Sequence, residues 1–341
     1  MTGKKGETPS NEALMPERAA MFRERTMQPW LSFYEVFQLL VFVLAFYGVW
    51  RALGFVPNRV ELGAATTELR LAPARLQANS FGRLSLAGAW ELRSPDPRFG
   101  GFSALVLDGG TFLALTDRGA IAAFPKPGAK KHPTVTLREL PDGPGNKSYI
   151  WNRDTEALAR DPLGRGWWVT FEVRHELWLY DPSFTRGLKR VELGYGRWPV
   201  NQGAEGLVAL PGPELLIFVE HSGRLFRMQG SRAVAESVAG KKPGIADATL
   251  LPDGRIALIE RTFGVAGFRN VLAILERRDG RLRVSERFDL PAGMLTNLEG
   301  LAAEAQPDGS TRLWIISDDN FVRPLRTLLL AVDLPPKRAG A

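Results

Sequence analysis

Two short apolar runs joined by a tight turn, with an acid at each end, recur along this chain and limit it to very few folds. The clearest copy is Ala204-Glu205-Gly206-Leu207-Val208-Ala209, a Pro/Gly turn, then Leu215-Leu216-Ile217-Phe218-Val219-Glu220. Their length and period read as two strands of a hairpin. In an antiparallel pair the start of one strand lies beside the end of the next, so Glu205 and Glu220 should project from one edge. Thr155-Glu156 with Trp167 to Glu172 repeats the device, as do Asp247 with Ile256 to Glu260 and Glu299 with Leu313 to Asp318. A degenerate first copy runs from Gly101-Phe102-Ser103 to Thr116-Asp117. The first-strand markers fall at 103, 156, 205, 247 and 299, steps of 53, 49, 42 and 52. Such a period fits a four-stranded propeller blade.

The expected fold is therefore all-β: one β-propeller, five blades by repeat count, six if a loop hides a divergent unit. Further strands are expected at Glu176 to Tyr180 and Leu188 to Leu193, Arg224 to Met228 and Ala233 to Val238, and Val271 to Leu275 with Leu282 to Phe288. The last copy has a third strand, Thr327 to Val332, and no fourth. The orphan strand Leu84 to Leu92 would complete it, closing the ring and removing a free edge.

Ahead of the propeller, residues 1–29 are polar and aperiodic, which predicts a disordered leader. Residues 30–56 hold an uncharged core from Val36 to Trp50, bracketed by Glu35 and Arg51. Those fifteen residues make ~22 Å of helix, short of the ~30 Å hydrocarbon core. The full 30–56 stretch spans it if the flanking charges snorkel. The expectation is an apolar helix acting as a single-pass inner-membrane anchor, with the propeller in the periplasm. A cleaved signal, with Gly63-Ala64-Ala65 as the cut, and a soluble helix are the alternatives. Residues 57–80 read as a linker, 81–334 as the propeller and 335–341 as a tail. The formal net charge is +7, but the arginines are scattered and no nucleic-acid motif accompanies them, so no nucleic-acid partner is expected.

If both marked positions of each repeat share a face, nine of ten slots are acidic: Asp117, Glu156, Glu172, Glu205, Glu220, Asp247, Glu260, Glu299 and Asp318, with Ser103 the exception. Two unit charges ~5 Å apart repel by ~3 kcal/mol at an effective dielectric of ~20. Cations, arginines or raised pKa values must offset that repulsion. A single strand-end carboxylate more simply accepts backbone N–H bonds or pairs with Arg; the recurrence is what suggests use. There is no cysteine, and two of the three histidines, His175 and His221, lie beside these acids. Oxygen donors including Asp319 and the nearby asparagines favour Ca²⁺ over zinc or copper. The aromatic pair Phe263 and Phe268 reads as blade packing.

Phe99-Gly100-Gly101-Phe102-Ser103, Leu115-Thr116-Asp117-Arg118-Gly119, Ala204-Glu205-Gly206-Leu207, Leu258-Ile259-Glu260-Arg261, Asn297-Leu298-Glu299-Gly300-Leu301 and Ser317-Asp318-Asp319-Asn320-Phe321 resemble the phytase-like family labelled "esterase-like activity of phytase". The resemblance spans roughly 81–334. It implies a bacterial propeller, commonly exported, related in fold to calcium-dependent phytases, and its label implies ester or phosphoester hydrolysis. On that reading Glu205, Glu299, Asp318 and Asp319 hold Ca²⁺, with Asp117, Glu156, Asp247 and Glu260 as further candidate ligands. Glu172 or Glu220, with His175 or His221 beside it, is the general base. Arg118, Arg261 and Ser103 receive a small anionic ester or phosphate substrate. A non-catalytic propeller binding a ligand or protein, and a lactonase-type hydrolase, are the competing expectations.

Overall fold

The computed structural model describes residues 62–76, 80–193, 203–220, 222, 224–229, 232–265, 267–290, 293 and 295–337. The leader, the 30–56 segment and His221 lie outside the described residues.

Five antiparallel sheets surround one axis. Their inner strands are Phe102–Asp108, Thr155–Arg160, Ala204–Ala209, Ile245–Leu250 and Asn297–Ala305. Each packs beside the inner strands of the blades on either side, the fifth against the first. Within blades 2, 3 and 4 the strands follow outward in chain order, four to a blade. The second strands are largely apolar at their centres; Leu215 to Val219 is buried throughout. Such runs suit sheets covered on both faces. Accordingly, five apolar clusters each fill the gap between two neighbouring blades.

Blade 5 joins the two ends of the propeller chain. Its order is Asn297–Ala305, Thr311–Asp318, Leu328–Leu334, then Leu84–Arg93 from the front, with Leu330 opposite Ala89. The five-blade count and this closure agree with the repeat arithmetic. The described part of 57–80 is not a free linker. Ala65–Glu68 pairs with Thr134–Glu139 on the outer edge of blade 1, and Arg70–Pro73 pairs with Leu84–Arg93 on that of blade 5. These four-residue edge strands bury one side only, with Leu69 as the anchor between them, so they carry no apolar run. Among the described residues there is no α-helix. One 3₁₀ turn, Ile150–Arg153, leads into blade 2, and no described helix is long and apolar enough to cross a membrane.

One backbone irregularity positions the site. In every blade the pairing of inner and second strand slips by one residue near its start, leaving Ser103, Glu156, Glu205, Ala246 and Glu299 as the extra residue. Such β-bulges re-aim a side chain and recur beside functional sites. Blade 4 breaks the acidic series because its bulged residue is Ala246, so Asp247 stands one position further on. The equivalents of Asp247 are Ala104, Ala157, Gly206 and Gly300, all small, because the strands converge there. A Cβ on Gly300 would lie 2.7 Å from the backbone of Ala104 and Leu105.

Candidate functional site

Where inner strands begin and second strands end, a cavity of about 550 Å³ opens. Eight carboxylates line it: Asp117, Asp154, Glu156, Glu172, Glu205, Glu220, Glu299 and Asp318; Arg261 is the single cation among the lining residues. Seven of the nine acids expected to converge do so. Asp154 is the addition. It lies two residues before Glu156, and that i, i+2 spacing of acids entering a strand was its only signal.

The two others are used elsewhere. Asp247 reaches across the ring: its oxygens accept from the Ala248 amide at 2.7 Å and the Leu301 amide of blade 5 at 2.7 Å, and the Leu105 amide of blade 1 also donates to it. It serves as a buried tie between inner strands and does not line the cavity. Glu260 is held by Arg287 at 2.8 and 2.9 Å and by the Lys242 amide, away from the lining residues. Asp319 binds the loop together, accepting from the Gly101 and Phe321 amides and the Thr327 hydroxyl.

The remaining candidates divide similarly. Ser103 lines the cavity, but its hydroxyl is buried and donates to the Thr155 carbonyl at 2.6 Å, which suits a strand tie better than substrate contact. The Arg261 guanidinium is engaged with Glu299, donates to Asn297 Oδ1 at 2.8 Å and stands 3.7 Å from Glu220, so it neutralises the protein's own acids. Arg118 stays half-exposed near the rim, 3.9 Å from Asp117 and stacked over the Phe321 ring at 3.6 Å. His175 sits in the turn after Glu172 with φ 48° and is not among the lining residues. Phe263 and Phe268, expected to pack inside a blade, belong instead to a hairpin extension of blade 4 and line the cavity. Their ring centroids are 4.8 Å apart, and Phe263 is 74 % exposed.

The glycines of Phe99-Gly100-Gly101-Phe102 have a definite task here. Gly101 adopts φ +56°, and a Cβ on it would meet the Phe321 ring at 2.2 Å and Asp117 Oδ1 at 2.6 Å. The backbone passes between these side chains only because nothing projects from it.

Burial dominates the electrostatics. It pushes Glu172 up to about 7, with Asp154 the next cause, and Asp154 to about 6. Asp318 also rises to about 6 through burial, against the hydrogen bonds that the Asn320 amide and Asn297 give it. Glu156, Glu205 and Asp117 are driven well above the carboxylate range by burial first and neighbouring anions second. Asp154 lies against Glu156, and Glu172 against Glu205, with carboxylate oxygens within 4.8 Å. A proton held by either member of each pair relieves their mutual repulsion. Asp117 Oδ1 is buried and receives no hydrogen bond.

Two groups, Asp154–Glu156–Glu172 and Glu172–Glu205–Glu220, bring carboxylate oxygens within 4.8 Å of one another. Oxygen-only donors at this density fit a hard cation such as Ca²⁺.

Comparison with solved structures supplies distant likenesses. The chain is 14 % identical to glutaminyl cyclase from Myxococcus xanthus, over 73 % of this chain and 95 % of that one, with a TM-score of 0.48. Virginiamycin B lyase from Staphylococcus aureus is 10 % identical over 79 % of this chain and all of that one, with a TM-score of 0.41. At these scores neither informs the chemistry. Comparison with curated protein sequences gives no match. The family model for phytase-like proteins, described as "esterase-like activity of phytase", matches residues 97–321, about two thirds of the sequence. The matched span holds all five inner strands and every lining residue of the acidic cavity, and the chain belongs to the phytase-like family.

Proposed function

We propose that this protein is a cation-dependent hydrolase of phosphate or carboxylic esters, with its reacting centre among the carboxylates at the propeller mouth. The observation that carries this reading is the pair of carboxylate groups sharing Glu172. Asp154 with Glu156, or Glu205 with Glu220, would hold a cation beside Glu172. A bound Ca²⁺ would polarise the ester oxygen and lower the pKa of an attacking water.

Each protein group has a distinct task in this scheme. Glu172, held near neutrality by burial, is suited to taking the proton of that water at physiological pH. Arg261 fixes Glu220 and Glu299 in place and leaves little charge for substrate. Arg118 on Phe321 would orient the anionic part of the ester at the rim. Eight carboxylates against one guanidinium repel any anion that arrives without a counter-charge, so substrate entry and cation uptake are coupled. The 30–56 segment would tether this propeller to the inner membrane on its periplasmic side.

Purified full-length protein should hydrolyse p-nitrophenyl phosphate or p-nitrophenyl acetate with Ca²⁺ and lose that activity in EDTA. Glu172→Gln should lower kcat by roughly 10²–10⁴-fold, the range of a positioned general base. Activity equal in EDTA, or an undiminished Glu172→Gln variant, would overturn the assignment.

A further inference from the structure

Beside the acidic cavity lies a second one of about 630 Å³, lined by more arginines than acids. The segment from Asp318 to Phe321 is the ridge between them: Asp318 and Asn320 line the acidic side, Asp319 and Phe321 the other. Three arginines, Arg93, Arg323 and Arg326, line this second groove. Arg93 and Arg326 both turn to one carboxylate, Glu91, at 2.5 and 3.4 Å. Asp319 is occupied by two amides and a hydroxyl. Arg323 is exposed and has no ion-pair partner among the described residues. Phe99 and Phe321 supply apolar wall. A volume in the range of small-molecule sites, apolar walls and a few convergent donors are the marks of a binding cleft. Guanidinium forks suit planar or tetrahedral oxyanions.

We propose that this groove is a second ligand site, taking a small organic oxyanion, phosphate or carboxylate, which the acidic cavity repels. A ligand reaching over the ridge would place its anionic end here and its ester among the carboxylates; that extension alone rests on the hydrolase reading. The test is isothermal titration of the full-length protein with inorganic phosphate and, separately, with succinate, in low-salt buffer freed of divalent cations on a chelating resin. One of the two should bind saturably, and the tighter names the oxyanion. Arg323→Ala and Arg326→Ala should each weaken it at least tenfold. Glu172→Gln should bind like wild type, and added salt should weaken uptake because the donors are exposed. Absence of saturable heat with both probes, wild-type affinity in both arginine variants, or loss of binding in Glu172→Gln would overturn the proposal. Failure to hydrolyse esters would remove the ridge-spanning ligand and leave the binding result standing.

Discussion

At the residue scale, Glu172 concentrates the physics of the site. It belongs to both carboxylate groups, is 8 % exposed and lies against Glu205. Its folded-state pKa of about 7 stands above the ordinary 4.5. A carboxyl raised on folding binds more protons in the native than in the unfolded state between those values. Stability of the cation-free protein must therefore fall as pH rises from about 4.5 towards 7. The contribution of Glu172 is on the order of 2–3 kcal/mol across that window. Thermal melts in EDTA at pH 5 and pH 7 should show a lower Tm at pH 7. Glu172→Gln, which cannot ionise, should narrow the gap. Added Ca²⁺ should raise the Tm more at pH 7 than at pH 5, because ligand carboxylates bind it only when deprotonated. A Tm rising with pH in EDTA would contradict a carboxyl raised by folding.

At the level of elements, the inner strands explain both what could be read in advance and what could not. Hairpin period and flanking acids located all five inner strands and placed Glu156, Glu172, Glu205, Glu220 and Glu299 around one opening, because strand alternation is written locally. Asp247 was misplaced because a β-bulge is invisible in composition: the residue that bulges in blade 4 is Ala246, and a shift of one turns the next side chain elsewhere. Glu260 was misplaced because its partner, Arg287, lies two strands away in the fourth strand of the blade. Phe263 and Phe268 read as packing because nothing local says that a hairpin outgrows its blade. Asp247 also yields a direct expectation. Both of its oxygens accept amide N–H groups, so Asp247→Ala strands at least two buried donors and should cost about 2–4 kcal/mol. Asp247→Asn should rescue only part, since its NH₂ must face one of those amides. Urea unfolding at constant m-value measures both. Equal stability of Asp247→Ala and wild type would show that the axial tie is dispensable.

For the whole molecule, closure of the ring governs folding. Blade 5 has no bare edge beyond its third strand only because Leu84–Arg93, from the front of the propeller, lies beside Leu328–Leu334 from its end. Leu328, Leu329, Leu330, Ala331, Val332 and Leu334 are each at most 1 % exposed, and four of them belong to the cluster between blades 4 and 5. Five of the six are large aliphatics, and burying each is worth roughly 1.5–3 kcal/mol. Their removal forfeits about 7–15 kcal/mol, the size of a whole domain's stability. It would also leave Thr311–Asp318 and Leu84–Arg93 with bare edges, which invite pairing between chains. Ending the chain at residue 327 should therefore abolish the cooperative melt and yield aggregated protein, whereas ending it at residue 337 should leave the Tm within a few degrees of full length. The same cut displaces Asp318 and the 318–321 ridge, so acidic cavity and basic groove should fail together with the fold. Circular dichroism melts and size-exclusion chromatography of the two truncations decide the matter. A monomeric, cooperatively melting chain ending at 327 would mean that the first four blades stand without the fifth, and that the mouth is assembled by neighbouring blades and not by the closed ring.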